Sequence, residues 1–513
     1  MYGNAISYAL NGIDAVQIQV ESDIKGGLSK FNIVGLPSNS IKESRDRVSA
    51  AIKNSGFRFS THQYTVNLAP ADLRKEGVAM DLPIAISLLS ASNQISSEKL
   101  SKIALVGELA LDGALRPVKG ILPIAVAAWK DKLEGLIVPL ENAEEAGIIE
   151  DLNIFPVSSL NEAIEFLEGY LAIKPHKVDK KKVFQNIENN QIDMFDVKGQ
   201  FQVKRALEVA AAGSHNVLMI GPPGSGKTML ARRMPTILPN MTIEEALEST
   251  KIHSVSGLMS SVKSGILTIR PFRSPHHTIS DVALIGGGSY PKPGEVSLAH
   301  NGILFLDELP EFKKTVLEVM RQPLEDGTVT ISRATQSLAF PAKFMLIASM
   351  NPCPCGYYGY DIPGHQCTCN LAQIQRYRSH ISGPLLDRID IQVEVNAVKH
   401  EDLSSMPTGE KSADIKRRVD QARKIQLERF QKEGIFSNSQ MSPKLIRKYC
   451  QLDKDGNNLL KIAMEKKGLS ARAYDRILKV ARTIADLDNS EEINSKHISE
   501  AVQYRSLDGT GIS

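Results

Sequence analysis

Residues 217–230, "VLMIGPPGSGKTML", constrain the fold more tightly than any other stretch of the chain. An apolar run leads into Gly221-Pro222-Pro223-Gly224-Ser225-Gly226-Lys227-Thr228, and a helical pattern follows at once. A buried strand feeding a glycine-rich turn and then a helix needs parallel neighbours and crossover helices to cover it, which predicts an α/β layer. The eight residues carry the full signature of a phosphate-binding loop in its strand-to-helix context. Gly224 and Gly226 let backbone N–H groups close around phosphate oxygens, and the start of the helix adds a favourable dipole. Lys227 supplies a point charge to the β- and γ-phosphates, and the Thr228 hydroxyl suits magnesium. The bland alternative is a glycine-rich turn that binds nothing.

Three further stretches agree with that loop. "GILFLDELPEF" reads as an apolar strand ending in two carboxylates, with Asp307 placed to hold magnesium and Glu308 to polarise the water attacking the γ-phosphate. Alone, such a pair also caps helices. "KFMLIASMNP" is a second apolar strand, ending at Asn351, which can orient the lytic water or simply begin a turn before Pro352. "GPLLDRIDIQVEV" offers Arg388, either a finger that neutralises transition-state charge in a neighbouring subunit or a salt-bridge partner of Asp387 or Asp390. In "GLSARAYDRILKVARTIADL", Arg472 opens a helix from which it can reach phosphate.

Composition frames these motifs. A chain of 513 residues with 42% hydrophobic and 23% charged residues is an ordinary globular protein of roughly three domains. A net charge of +3 restricts any nucleic-acid contact to a local basic surface. The N-terminus lacks a signal-peptide pattern and no run approaches a membrane span, so a cytoplasmic location and no membrane partner are expected. Residues 1–170 read as α+β: "AVQIQVE" and "QYTVNLA" alternate like strands, and "SRDRVSAAIKNSG" has helical spacing. Residues 171–192 read as a polar linker whose "KVDKKK" run is a solvated stretch or a nucleic-acid contact. Residues 193–396 form the α/β block, and 397–513 are helix-rich.

Four of the five cysteines fall within residues 353–369. Cys353-x-Cys355 and Cys367-x-Cys369 supply four thiolates for structural zinc, with His365 as a substitute ligand; reduced structural thiols and a redox switch stay open. A Gly/Tyr/Pro-rich loop has little core of its own, which favours a metal.

In this order the motifs resemble AAA+ ATPases of the magnesium-chelatase-like branch, and more closely the ComM (YifB) competence family. The resemblance extends over nearly the whole chain, through "FNIVGLPSNSIKESRDRVSAAIKNSGF", "VNLAPADLRKEG", "FRSPHHTISDVALIGGGSYPKPGEVSLAHNGILFLDELPEF", "NPCPCG" and "SARAYDRILKVARTIADL". It implies a P-loop AAA+ core with a helical C-terminal lid and an N-terminal Lon-protease-like (ribosomal S5 domain 2-like) domain. It also implies a ring, hexameric by expectation, with the active site shared between subunits. Gln200 then becomes the adenine-side element, Lys227 and Thr228 Walker A, Asp307 and Glu308 Walker B, Asn351 sensor 1, Arg388 the finger and Arg472 sensor 2. The cofactors are ATP and magnesium. The implied activity is a DNA helicase that drives branch migration while transforming DNA is integrated, with single-stranded or branched DNA as partner.

Around 271–296, Arg273, His276, His277 and Lys292 lie in a stretch resembling the insert that projects toward the ring pore. "GTVTISRATQSLAFPAKFMLIA" reads as a β-hairpin with Arg333 near its turn. Such cations track DNA phosphates or serve subunit packing. Where the Lon-like fold places its serine and lysine, this chain has Ala79 and Leu122, so no peptidase activity is expected. A protein remodeller or a chelatase-type motor acting on a protein partner is the competing function class.

Overall fold

The computed structural model describes residues 1–505 apart from Ser29, Glu76, 186–191, Ser289, 334–335, Pro363 and 398–408. It forms two compact units, the first from Met1–Ile187 with Thr242–Thr268 and the second from Glu188–Met241 with Ile269–Ser513. Part of the expected linker and the start of the expected lid fall outside the described residues.

In the first unit, β1 (Tyr2–Asn11) and β2 (Asp14–Lys25) make a long antiparallel hairpin, closed through Gly12 at φ +66°. With β3 (Lys30–Val34), β4 (Gln63–Ala69), β5 (Ile103–Leu105), β8 (Gly135–Pro139) and β9 (Asn153–Val157) they build a seven-stranded mixed sheet, ordered β3-β4-β2-β1-β5-β8-β9. A short ribbon of β6 (Glu108–Leu109) and β7 (Leu115–Arg116) stands beside it. The alternation read in β2 and β4 is real: every second side chain of β4 is buried. The helix expected from "SRDRVSAAIKNSG" spans Asn39–Asn54 and buries Ile41, Val48 and Ile52 at helical spacing. Helix Asp81–Ala91 is buried throughout, as a core helix must be when it is apolar on all sides.

Thr242–Thr268, which the sequence groups with the α/β block, packs instead with this first unit. Its helix Ile243–Ser256 begins on a capping box, with Thr242 and Glu245 bonded to each other's backbone N–H, and stops at Gly257, φ +73°. Buried Glu145 fastens it: one carboxylate oxygen accepts from the Leu122 N–H, at 3.0 Å, and from the Ser254 hydroxyl.

The second unit is built on a parallel five-stranded sheet. Its strands are β10 (Val217–Ile220), β11 (Phe272–Arg273), β14 (Ile303–Leu306), β17 (Met345–Met350) and β18 (Ile391–Glu394), ordered β11-β14-β17-β10-β18. All four residues of β10 and all six of β17 are buried, which is why these strands read as continuous apolar runs. Two antiparallel ribbons branch from the sheet: β12 (Gly286–Gly287) with β13 (Lys292–Pro293), and β15 (Thr328–Arg333) with β16 (Gln336–Pro341). The helical C-terminal region shares the sheet's core, with Ile415, Val419 and Ala422 of helix Ser412–Arg429 and Ile477, Ala481 and Ile484 of helix Ala471–Leu487 all buried against it. Among the described residues no helix is long and apolar enough to cross a membrane.

Candidate active site

Three adjacent parallel strands, β14, β17 and β10, end at one edge of the sheet and bring their C-terminal turns together. Ile220 pairs with Met350 and Leu306 with Ala348, so the loop after β10, the acids after β14 and Asn351 after β17 are neighbours by register. Gly224 (φ +75°) and Gly226 (φ +89°) take left-handed backbone that a side chain would strain, and helix Lys227–Arg233 starts directly on Gly226. Thr228 Oγ1 donates to Asp307 Oδ2 at 2.6 Å. The other Asp307 oxygen accepts from the Ser349 hydroxyl and, at 3.0 Å, from the Glu308 N–H. A hydroxyl and a carboxylate in contact form a hard-oxygen set that fits magnesium.

Lys227 is buried and turned back on its own loop. Its ammonium donates to the carbonyls of Gly221 (2.8 Å) and Pro222 (2.9 Å) and to Asn351 Oδ1 (3.2 Å). Burial lowers its pKa, and the carboxylates of Asp307 and Glu308 oppose that shift. Glu308 occupies left-handed backbone (φ +55°), a strain of about 1 kcal/mol or more that turns the chain sharply out of β14 and leaves its carboxylate in solvent's reach. His277 Nδ1 lies 3.5 Å from Glu308 Oε2, with the His276 ring 4.1 Å behind it.

The remaining site candidates stand apart from this cluster. Gln200, at φ +56°, begins helix Phe201–Gly213, and its amide donates to the Asn396 carbonyl at 2.6 Å. Arg388 is 13% exposed and ion-paired with Glu325, and it donates to the Pro384 carbonyl at 2.6 Å. Its sequence-level partners, Asp387 and Asp390, instead take Arg472 (3.2 Å) and Arg476 (2.6 Å). Arg388 and Arg472 are thus each held by a carboxylate.

Of the cations assigned to DNA, Arg273 makes a two-pronged ion pair with Glu295 at 2.6 and 2.7 Å, whereas Lys292 is exposed on β13. Arg333 ends β15 of the expected hairpin; its side chain and the tip 334–335 lie outside the described residues. In the first unit, Leu122 is buried at the start of helix Ile121–Lys130, and Ala79 packs beside the cluster of Ile121 and Ile124. Neither position holds a nucleophile or a base.

The four cysteines converge. Their sulfurs all lie within 4.8 Å of one another, all are free thiols, and Cys353 is buried. The separations among Cys353, Cys355 and Cys367, at 3.3, 3.6 and 3.8 Å, run up to the edge of about 3.8 Å that a tetrahedron of 2.3 Å zinc–sulfur bonds requires. His365 is stacked on Tyr357 at 4.7 Å.

Ser349 and His277 belong to the site, and sequence reasoning missed both roles. Ser349 had a signal, since it lies on β17 two residues before Asn351, where the strand ends, and so shares that residue's face. His277 had none, because only the folded sheet carries the end of β11 toward Glu308.

Comparison with known proteins adds to this geometry. Residues 193–403 match the family model "Magnesium chelatase, subunit ChlI", residues 20–142 match "Subunit ChlI of Mg-chelatase", and residues 409–505 match "Magnesium chelatase, subunit ChlI C-terminal". The chain is 44% identical to the competence protein ComM of Haemophilus influenzae over 98% of its own length and 97% of that protein's. It is 45% identical to YifB of Escherichia coli, covering 97% of this chain and 96% of the relative. A Lon protease from aster yellows witches'-broom phytoplasma is 27% identical over 31% of this chain and 21% of its own length.

Proposed function

Since the chain belongs to the ComM (YifB) family of magnesium-chelatase-like AAA+ ATPases, we propose that it is an ATP-driven DNA motor, a ring-shaped helicase promoting branch migration during integration of transforming DNA. The observation that carries the ATPase part is the convergence of Lys227, Thr228, Asp307, Glu308 and Asn351 at the ends of three adjacent strands. On ATP binding, Lys227 exchanges the Gly221 and Pro222 carbonyls for phosphate oxygens, and the N–H groups of the loop close around them. Thr228 and Asp307 would hold magnesium, which would supply charge neutralisation at the phosphates. Glu308 accepts the proton of the attacking water, and Asn351, already bonded to Lys227, orients that water. Gln200 lies on the adenine side. Arg388 serves the site of the next subunit and Arg472 the closing lid, so both must leave the carboxylates that hold them.

The DNA part rests on likeness to a competence protein across 97% of that relative's length and on the β15/β16 hairpin, where Arg333 meets DNA phosphates. Lys292 makes a second phosphate contact. Arg273 contributes only if its pair with Glu295 opens. A hexamer in the cytoplasm and structural zinc at Cys353, Cys355, Cys367 and Cys369 complete the reading.

Moving a labelled three- or four-stranded junction tests it. The wild-type protein moves the junction with ATP and Lys227→Ala does not. ATP hydrolysis stimulated by unfolded protein, with no DNA binding at low salt, would replace this reading by protein remodelling.

A further inference from the structure

The loop that carries the four cysteines is built against the phosphate-binding loop. Cys353, Pro354, Cys355 and Gly356 form a tight turn, with the Gly356 N–H donating to the Cys353 carbonyl at 3.0 Å. Gly356 takes φ +91°, and a Cβ added there would lie 2.6 Å from Cδ and 2.7 Å from Cγ of Pro223. The Pro223 ring therefore sits directly on this glycine. The Tyr360 hydroxyl, from the same loop, lies 3.5 Å from the carbonyl of Ile220, the residue that leads into the phosphate-binding loop. Contacts on the far side steady the turn: the Tyr358 N–H points at Cys353 Sγ (3.4 Å), Arg378 donates to the Pro352 carbonyl (3.2 Å), and its guanidinium lies over the Tyr358 ring.

Short loops of this composition have little apolar core to keep a turn in place. Four convergent thiolates are what a soft tetrahedral metal needs, and binding such an ion turns metal affinity into folding free energy. We propose that zinc at Cys353, Cys355, Cys367 and Cys369 holds the Gly356 turn as the seat of Pro223, so that metal occupancy sets the affinity of the phosphate-binding loop for nucleotide. The proposal rests on the ATP reading above and adds to it a metal-dependent support for the loop.

Zinc content and equilibrium binding of a fluorescent ATP analogue are measured on the full chain, purified without chelator. Wild-type protein carries about one zinc per protomer. Cys367→Ser with Cys369→Ser, changed on the arm away from Pro223, loses the metal and weakens nucleotide binding. Gly356→Ala keeps all four thiolates and its zinc, yet the added Cβ displaces Pro223. Both variants bind the analogue at least about tenfold more weakly, a loss of about 1.4 kcal/mol or more. A melting curve close to that of wild type shows that Gly356→Ala is folded. Lys227→Ala separates the two ideas, keeping full zinc while losing nucleotide. Wild-type protein without zinc overturns the proposal, as does loss of zinc with unchanged nucleotide affinity. Zinc-loaded wild type that binds no nucleotide at all overturns the ATP reading itself.

Discussion

Lys227 and Glu308 lie in one site and answer to different physics. Lys227 supplies charge, and its ammonium hydrogen-bonds only to its own loop and Asn351 among the described residues. Lys227→Ala is expected to abolish nucleotide binding and hydrolysis together. Glu308→Gln removes only the proton acceptor, so nucleotide affinity stays and kcat falls by about 10²- to 10⁴-fold. Equal hydrolysis rates for wild type and Glu308→Gln, read by phosphate release, would remove Glu308 from its role. The residue types and their strand-end positions were legible in the chain. Their partners were legible only in part: Arg388 next to Asp387 invited a local ion pair, yet the structure pairs it with Glu325. Adjacent residues diverge where a chain leaves a helix for a strand, as it does at 387–391, and sequence neighbours then face different partners.

Two buried polar contacts decide how elements are fastened. Glu145 joins helix Ile121–Lys130 to helix Ile243–Ser256, and burial raises its pKa from 4.5 to about 6. Between those values the unfolded chain has released this proton while the folded chain still holds it, so rising pH costs the first unit about 2 kcal/mol. Glu145→Gln, whose amide oxygen still accepts from Leu122 and Ser254, is expected to remove that part of the pH dependence. Denaturation midpoints of the two proteins from pH 4 to 7 check this, and parallel profiles would show that the carboxyl titrates normally. In the second unit, Asp390 is buried between His215 (3.3 Å) and Arg476 (2.6 Å), and His215 also meets Thr483 at 2.8 Å. Despite burial, the Arg476 guanidinium and the hydrogen bond with His215 hold the Asp390 carboxyl well below the usual range. Asp390→Ala leaves the buried His215 and the partly buried Arg476 without it and is expected to destabilise the unit by about 3 kcal/mol. An unchanged urea midpoint would show that the network adds nothing.

For the molecule as a whole, the active site proposed above is completed by the Arg388 of a neighbouring subunit. Lys227→Ala and Arg388→Ala are each expected to be inactive. Mixed, they regain part of the activity, because some interfaces then join an intact phosphate-binding loop to an intact arginine. Mixtures as inactive as their components would mean that each subunit works alone. DNA tracking by the hairpin predicts that Arg333→Ala weakens DNA-stimulated hydrolysis and leaves basal hydrolysis nearly unchanged. The salt dependence of single-strand binding should also become shallower, by about 0.7 in log–log slope for each phosphate that is no longer neutralised. An unchanged slope would move the DNA contact elsewhere.

The sequence alone determined the α/β core, the phosphate-binding turn, the strand-end acids and the helical C-terminal region. Each is written in short-range spacing, period two for strands and 3.6 for helices, or in a contiguous motif. Tertiary structure alone decided that Ser349 and Thr228 share Asp307, that His277 faces Glu308, that Thr242–Thr268 packs with the first unit, and that Gly356 seats Pro223. These depend on which strands lie side by side and in what register. That choice is made by burying the apolar faces of distant segments together, and no local pattern in the chain records it.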